Sequence, residues 1–192
     1  MNNKKFIETK IKSTKVFSGK LLHVYKDDVQ LPSGNKSTRE YIKHQGAAVV
    51  IRIIDNKILL VKQYRYPTQQ IMIELPAGKI DPGEDELFTV KRELGEETGY
   101  TSDKIFRLQP IHPCIGYSNE IIHLFLATDL YPSNFEPDPD EEIENVIIDL
   151  KDALEMIYSG EITDSKTIIG LFWFEHLQKD ANLQKRFGIN FD

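Results

Sequence analysis

The sequence predicts an α/β domain, a mixed β-sheet sandwiched between helices, with an N-terminal antiparallel β appendage. Three observations carry this. Ala47 to Ile54 is an apolar run broken only by Arg52. It turns at Asp55-Asn56 into Lys57 to Tyr64, which contains Ile58, Leu59, Leu60 and Val61. Short apolar runs bounded by turn residues read as buried strands, here a hairpin of a central sheet. Leu87, Val90 and Leu94 recur at i, i+3 and i+7, the period of a helix with one buried stripe. Residues 1–43 read as an antiparallel β unit and precede both.

The elements follow in order. Leu21 to Tyr25 and Asp28 to Leu31 read as strand, Pro32 to Asn35 as a turn, and Thr38 to Ile42 as the returning strand. These 43 residues form one segment, and residues 44–192 the main domain. Met72 to Leu75 is a short strand. Asp81-Pro82-Gly83 is a turn. Glu84, Asp85 and Glu86 then occupy a first helical turn, where acidic residues suit the dipole, and Gly99 ends the helix. Ile105 to Ile111, Ile121 to Ala127 and Val146 to Leu150 are further strands. Lys151 to Tyr158 and Asp164 to Gln178 are helices, the second with an Asp cap. Pro132 to Glu142 is a Pro-rich acidic loop, long enough to be a lid.

Composition narrows the function classes. A chain of 192 residues is one domain of ordinary size or one with a small appendage. The formal charge of −6 argues against a nucleic-acid scaffold. No apolar run approaches the ~18 residues of a transmembrane helix, and no apolar stretch follows the basic start MNNKK. With one cysteine, Cys114, no intrachain disulfide is possible. The expectation is a cytoplasmic protein without membrane or nucleic-acid partners.

The chemistry concentrates between Gly78 and Tyr100. Glu93, Glu96 and Glu97 crowd one turn near the helix end, where like charges repel and the dipole disfavours anions. A divalent cation is the cheapest compensation. At about 100° per residue, Glu86, Glu93 and Glu97 form one row beside the buried stripe, with Glu96 adjacent. Carboxylate oxygens suit Mg²⁺ or Mn²⁺ and not a closed zinc site. A bound ion also reverses the local charge, which admits an anionic substrate. A solvated acidic face is the plainer alternative. His23, His44, His112, His123 and His176 show no metal-ligand spacing.

The full spacing favours the metal. Gly78, Glu84, Arg92-Glu93-Leu94, Glu96-Glu97, Gly99 and Tyr100 resemble the Nudix box, G-x5-E-x7-R-E-U-x-E-E-x-G-U, with every specified position filled. Gln63-Tyr64-Arg65, Glu74 to Gly78, Leu31 to Gly34 with Thr38 to Glu40, His112 to Glu120 and Gly160 to Thr167 resemble the branch that hydrolyses ADP-ribose and other nucleoside diphosphate sugars. The resemblance implies the Nudix fold and a metal-dependent pyrophosphatase that yields a nucleoside monophosphate and a sugar phosphate. Mg²⁺ is the implied cofactor, and Mn²⁺ a substitute. It makes Glu93, Glu96, Glu97 and the carbonyl of Ala77 the metal ligands, with Glu84 and Arg92 orienting those carboxylates. Glu96 also counts among the catalytic residues.

The same resemblance makes Arg65 a phosphate ligand, against the alternative of a surface ion pair, and leaves Glu74 equally open as a substrate or a structural residue. Tyr41 is a candidate for stacking on a nucleobase, with packing in its strand as the alternative. The loop base falls on Glu141, or on Glu142 or Glu144 if the register slips. The N-terminal segment implies a homodimer that shares its active sites. One position departs from the branch: Ile115 stands where proline usually does, sixteen residues after Gly99. That opens a wider substrate range, including GDP-mannose. A dinucleoside polyphosphate hydrolase is a further alternative. A nucleotide-sensing module without catalysis is less favoured, because all three box glutamates are present.

Overall fold

Two units make up the chain, and each is built on its own sheet. The computed structural model describes residues 3–54, 57–136, 138 and 142–189. The first unit takes the chain up to Gln45 and adds His112–Ile121. It contains β1 (Thr9–Ser18), β2 (His23–Gln30) and β3 (Lys36–Ile42), antiparallel and in that order. β2 is one strand where the sequence suggests two pieces. Both edges explain this: Asp27 pairs with Ser13 on one side and Arg39 on the other. The sequence does not distinguish β1 as a strand, because its Lys-, Thr- and Ser-rich stretch is exposed throughout and shows no alternation. The added segment docks on β3. The Ile42 amide donates to the Tyr117 carbonyl at 2.8 Å, and the Asn119 side chain brackets the backbone of His44.

The second unit holds Gly46–Ile111 and the chain from Ile122 on. Its strands are β4 (Ala47–Ile54), β5 (Lys57–Arg65), β6 (Gln70–Glu74), β7 (Ala77–Lys79), the short β8 (Tyr100–Thr101), β9 (Lys104–Ile111), β10 (Ile122–Thr128), the short β11 (Tyr131–Pro132) and β12 (Ile143–Asp149). The main sheet runs β12-β5-β4-β10-β9, with β6 paired to β5 and β7 to β4. Among its described strands only β4 and β10 run parallel, so the sheet is mixed, as expected. The expected turn at Asp55-Asn56 lies outside the described residues, but Ile54 pairs with Lys57 on either side of it.

Alternation along β4 sorts the helices. Ala48 and Val50 pack with Phe125 against Val90 and Leu94 of α1 (Glu86–Thr98). Val49 and Ile51 belong to the larger core with α2 (Leu150–Tyr158) and α3 (Ser165–Lys179), through Ala153, Leu171 and Phe174. A fourth helix, α4 (Ala181–Phe187), follows the Asp180 cap and lies beyond the elements expected from sequence. Arg52 continues the α1 side of β4 and is wholly buried. Its guanidinium nitrogens have no hydrogen-bond partner among the described residues; the guanidinium lies 4.2 Å from the centroid of the Tyr100 ring. Burial lowers its pKa to about 10, and the ring face supplies the compensating attraction.

α1 differs from its predicted form in two respects. Asp85 is the N-cap and not a helical residue; its Oδ1 accepts from the Phe88 amide at 2.7 Å. Leu87 is exposed, and the buried face is Thr89, Val90, Leu94, Gly95, Glu97 and Thr98. Apolar periodicity cannot see that face, because two of its members are threonines with satisfied hydroxyls. Thr89 donates to Glu84 at 2.9 Å, and Thr98 to the Leu94 carbonyl. At the other end Gly99 takes φ 74°, the left-handed cap that a glycine accepts without strain. Replacing Asp85 with Ala should cost about 1 kcal/mol of stability, read as a lower urea midpoint with an unchanged slope.

Candidate active site

Arg92 stands at the centre of the acidic cluster. Its Nε and Nη2 reach the two oxygens of Glu84 at 3.0 and 3.2 Å. Its Nη1 lies 2.8 Å from both Glu93 and Glu96, and Nη2 also reaches the Lys79 carbonyl at 3.3 Å. Charge-assisted forks of this kind fix orientation as well as energy. The guanidinium holds the Glu84 carboxyl below the usual carboxylate range, against the opposing effect of burial. Burial also works against the Arg92 charge, but Glu84, Glu93 and Glu96 more than offset it and raise its pKa.

The other two anchors are backbone. A Cβ on Gly78 would overlap the Glu93 carboxylate, so only glycine lets this side chain lie against the strand. Glu97 is buried, and its Oε2 accepts from the Ala77 amide at 3.1 Å. β7 is thus the floor on which α1 lays Glu93 and Glu97. Glu86, expected in their row, is drawn elsewhere: Arg107 of β9 holds it at 2.7 Å, and His123 of β10 lies 3.5 Å away.

A pocket of about 280 Å³ opens at the C-terminal end of α1, lined by Glu96, Glu97, Thr98, Gly99, Asp138, Ile143 and Asn145. Glu144 lies between Ile143 and Asn145 on β12, so it faces the opposite side of the sheet, where it pairs with Lys62 at 3.6 Å. Glu142 is exposed, and Glu141 lies outside the described residues.

Arg65 and Glu74 form a two-pronged pair at 2.7 and 2.9 Å. Lys166 closes it from the start of α3, bonding Glu74 and also Asp164 at 2.9 Å. Burial pushes the Glu74 carboxyl up, but Arg65 and Lys166 prevail and hold it low. Lys166 falls in the Gly160 to Thr167 segment, where the sequence alone gives it no role. The neighbouring Thr167, whose hydroxyl accepts from the Leu75 amide at 2.8 Å, ties α3 to the strand that enters the acidic loop. Tyr41 lies in the first unit, stacked on Tyr25 at 5.7 Å, with its hydroxyl 3.3 Å from buried Asp27.

Among the described contacts one guanidinium meets Glu84, Glu93 and Glu96, and Glu97 lies on the Ala77 amide beside them. Among the described residues no group of three or more His, Cys, Asp or Glu side chains is spaced to hold a metal ion; Arg92 and the Ala77 amide hold the carboxylates apart. The donor set is nonetheless all oxygen, the chemistry of a hard divalent cation.

The chain belongs to the Nudix family: residues 43–168 match the NUDIX domain model, and residues 8–42 match the nucleoside diphosphate sugar hydrolase N-terminal domain. Enzymes of this family hydrolyse pyrophosphate bonds and generally use a divalent metal. The chain is 40% identical over 180 residues to an ADP-ribose pyrophosphatase of Bacillus subtilis, covering 92% of this chain and 96% of that one. It is also 40% identical over 175 residues to a methanol dehydrogenase activator of Bacillus methanolicus, covering 90% and 95%. The crystal structure of an ADP compounds hydrolase shares the fold, with a TM-score of 0.83 at 22% identity over 92% of this chain and 96% of that one. Among the described residues no helix is long and apolar enough to cross a membrane.

The Glu74 pair gives a pH test. The folded carboxyl stays ionised below the ordinary value of 4.5 that serves the unfolded chain. Its stabilisation is present above that value and is lost as pH falls through the lower folded value. Replacing Glu74 with Gln should cost on the order of 3 kcal/mol at neutral pH and flatten the acid limb of stability. Urea melts at successive pH values below 4.5 would read this, and parallel curves for the two proteins would contradict it.

Proposed function

We propose that this chain hydrolyses the pyrophosphate bond of ADP-ribose or a related nucleoside diphosphate sugar, giving a nucleoside monophosphate and a sugar phosphate. The observation that carries the proposal is the acidic cluster itself: Glu93, Glu96 and Glu97 held on one helical turn by Arg92, Gly78 and the Ala77 amide. The name of the B. subtilis relative and the match of residues 8–42 support the substrate class.

In this reading Glu93, Glu96, Glu97 and the carbonyl of Ala77 hold Mg²⁺, with Mn²⁺ as a substitute. When bound there, the ion would supply charge to neutralise phosphate oxygens and to lower the pKa of a water. Glu84 keeps Arg92 in place, and Arg92 keeps Glu93 and Glu96 apart and oriented. Arg65, its fork held by Glu74, binds a substrate phosphate, a task that guanidinium geometry suits. A water oxygen attacks one phosphorus, and the bond from that phosphorus to the bridging oxygen breaks. Glu141, or its neighbour Glu142, accepts the water proton, and Glu96 is the second catalytic carboxylate. Residues 1–43 build a homodimer, in which Tyr41 stacks on the base, and the enzyme works in the cytoplasm.

A wider substrate range is the second reading. Ile115, where the resembled branch usually has proline, is 83% exposed in the His112–Ile121 segment, and its φ is not fixed as a proline's would be. A panel of ADP-ribose, ADP-glucose and GDP-mannose with Mg²⁺ and with Mn²⁺, products identified by mass, separates the two. Absence of nucleoside monophosphate from every substrate would sink both.

Replacing Glu97 with Gln should lower kcat by at least ~100-fold with the fold intact, the scale of losing a transition-state charge contact. Wild-type turnover in that variant would remove the metal assignment. Sedimentation should give a dimer at micromolar concentration, since a segment as small as residues 1–43 does not bury a core alone. A fully active monomer would refute the shared site.

A further inference from the structure

Gly95 sits inside α1, where glycine weakens a helix relative to alanine, and the Nudix box leaves its position unspecified. Space explains it. A Cβ on Gly95 would stand 2.7 Å from Cδ2 and 2.8 Å from Cβ of Phe135, and would also collide with the Ser133 hydroxyl. The chain leaving β11 therefore crosses α1 directly over Gly95. Two further contacts hold it there. The Ser133 amide donates to the Gly99 carbonyl at 3.0 Å, and the Phe135 ring meets Phe88 edge-on at 6.5 Å. The Ser133 hydroxyl then accepts from the Phe135 amide at 3.0 Å, which tightens the crossing.

The crossing leads directly to the pocket. Asp138, three residues after Phe135, lines it beside Glu96, Glu97, Thr98 and Gly99, and β12 lines it again with Ile143 and Asn145. The Ser133–Phe135 crossing thus anchors this wall of the pocket to the helix that carries the box glutamates.

We propose that Gly95 is a positioning residue: by admitting Ser133 and Phe135 against α1, it registers the acidic Asp138 side of the pocket over Glu96 and Glu97. The proposal rests on the hydrolase reading for its rate effect, but the crossing itself can be read without substrate. Alanine at 95 favours the helix and displaces the crossing. The helix gain offsets much of what the displaced contacts cost, so turnover should fall far more than stability, which a residue of merely structural importance would not produce.

The experiment compares wild type, Gly95→Ala and Phe135→Ala in the full chain. Hydrogen exchange over residues 131–136 should quicken several-fold in both variants, with α1 unchanged. In Gly95→Ala the melting temperature should move by only a few degrees, the helix gain offsetting the lost contacts, while kcat falls about tenfold and KM moves less than threefold. Phe135→Ala, which leaves the helix sequence intact, should lower kcat similarly, and the double variant should be no worse than either single one. Unchanged exchange in Gly95→Ala overturns the crossing, whatever the activity. Faster exchange with wild-type kcat, or losses in the two variants that simply add, overturns the positioning role. A wild type inactive on every nucleotide sugar is a failure of the hydrolase reading alone, and the exchange result then still decides the crossing.

Discussion

The acidic helix depends on one guanidinium. Arg92 touches Glu84, Glu93 and Glu96 at hydrogen-bond distance and so holds together charges that would otherwise drive the last turns of α1 apart. Among the described contacts one positive charge meets three carboxylates, with Glu97 a fourth beside them on the Ala77 amide, so its compensation is incomplete. That imbalance is the physical link between fold and function. A helix designed only for stability would not keep it, and a site that must attract a divalent cation and then an anionic substrate has reason to.

The rest of the second unit serves that helix. β7 supplies a glycine thin enough for Glu93 and an amide for Glu97. The cap at Asp85 and the left-handed Gly99 fix where the helix begins and ends. On the far side of the sheet, α3 begins at Asp164, whose carboxylate also accepts from the Thr167 amide at 3.0 Å. Through Lys166 and Thr167 this helix start binds Glu74 and Leu75, the residues that lead into β7. Sequence separation of 92 residues between Glu74 and Lys166 is bridged by a buried ion pair, which fixes geometry more surely than it adds stability.

Much of this is legible in the chain. The glutamate spacing identifies the helix, its cap glycine and the family, and the apolar runs identify β4, β5 and the mixed sheet. The features that escape do so for physical reasons. Leu87 reads as buried because apolar periodicity cannot register Thr89 and Thr98, which satisfy their hydroxyls inside the helix and its cap. Glu86 reads as part of the row of Glu93 and Glu97, but partners on β9 and β10, distant in sequence, take it away. β1 carries no alternation to read. Charge crowding alone makes a divalent cation the whole compensation, whereas Arg92 supplies part of it from within the helix.

The central claim is that the remaining negative charge around Arg92 is a divalent-cation site. A ligand that binds only the folded state raises stability with its concentration. Thermal unfolding of the apo protein titrated with Mn²⁺, without substrate, tests this most directly. The melting temperature of wild type should climb with Mn²⁺, and the climb should vanish in a Glu93→Gln, Glu97→Gln double variant that still folds. An equal climb in both proteins, or none in wild type, would contradict the account.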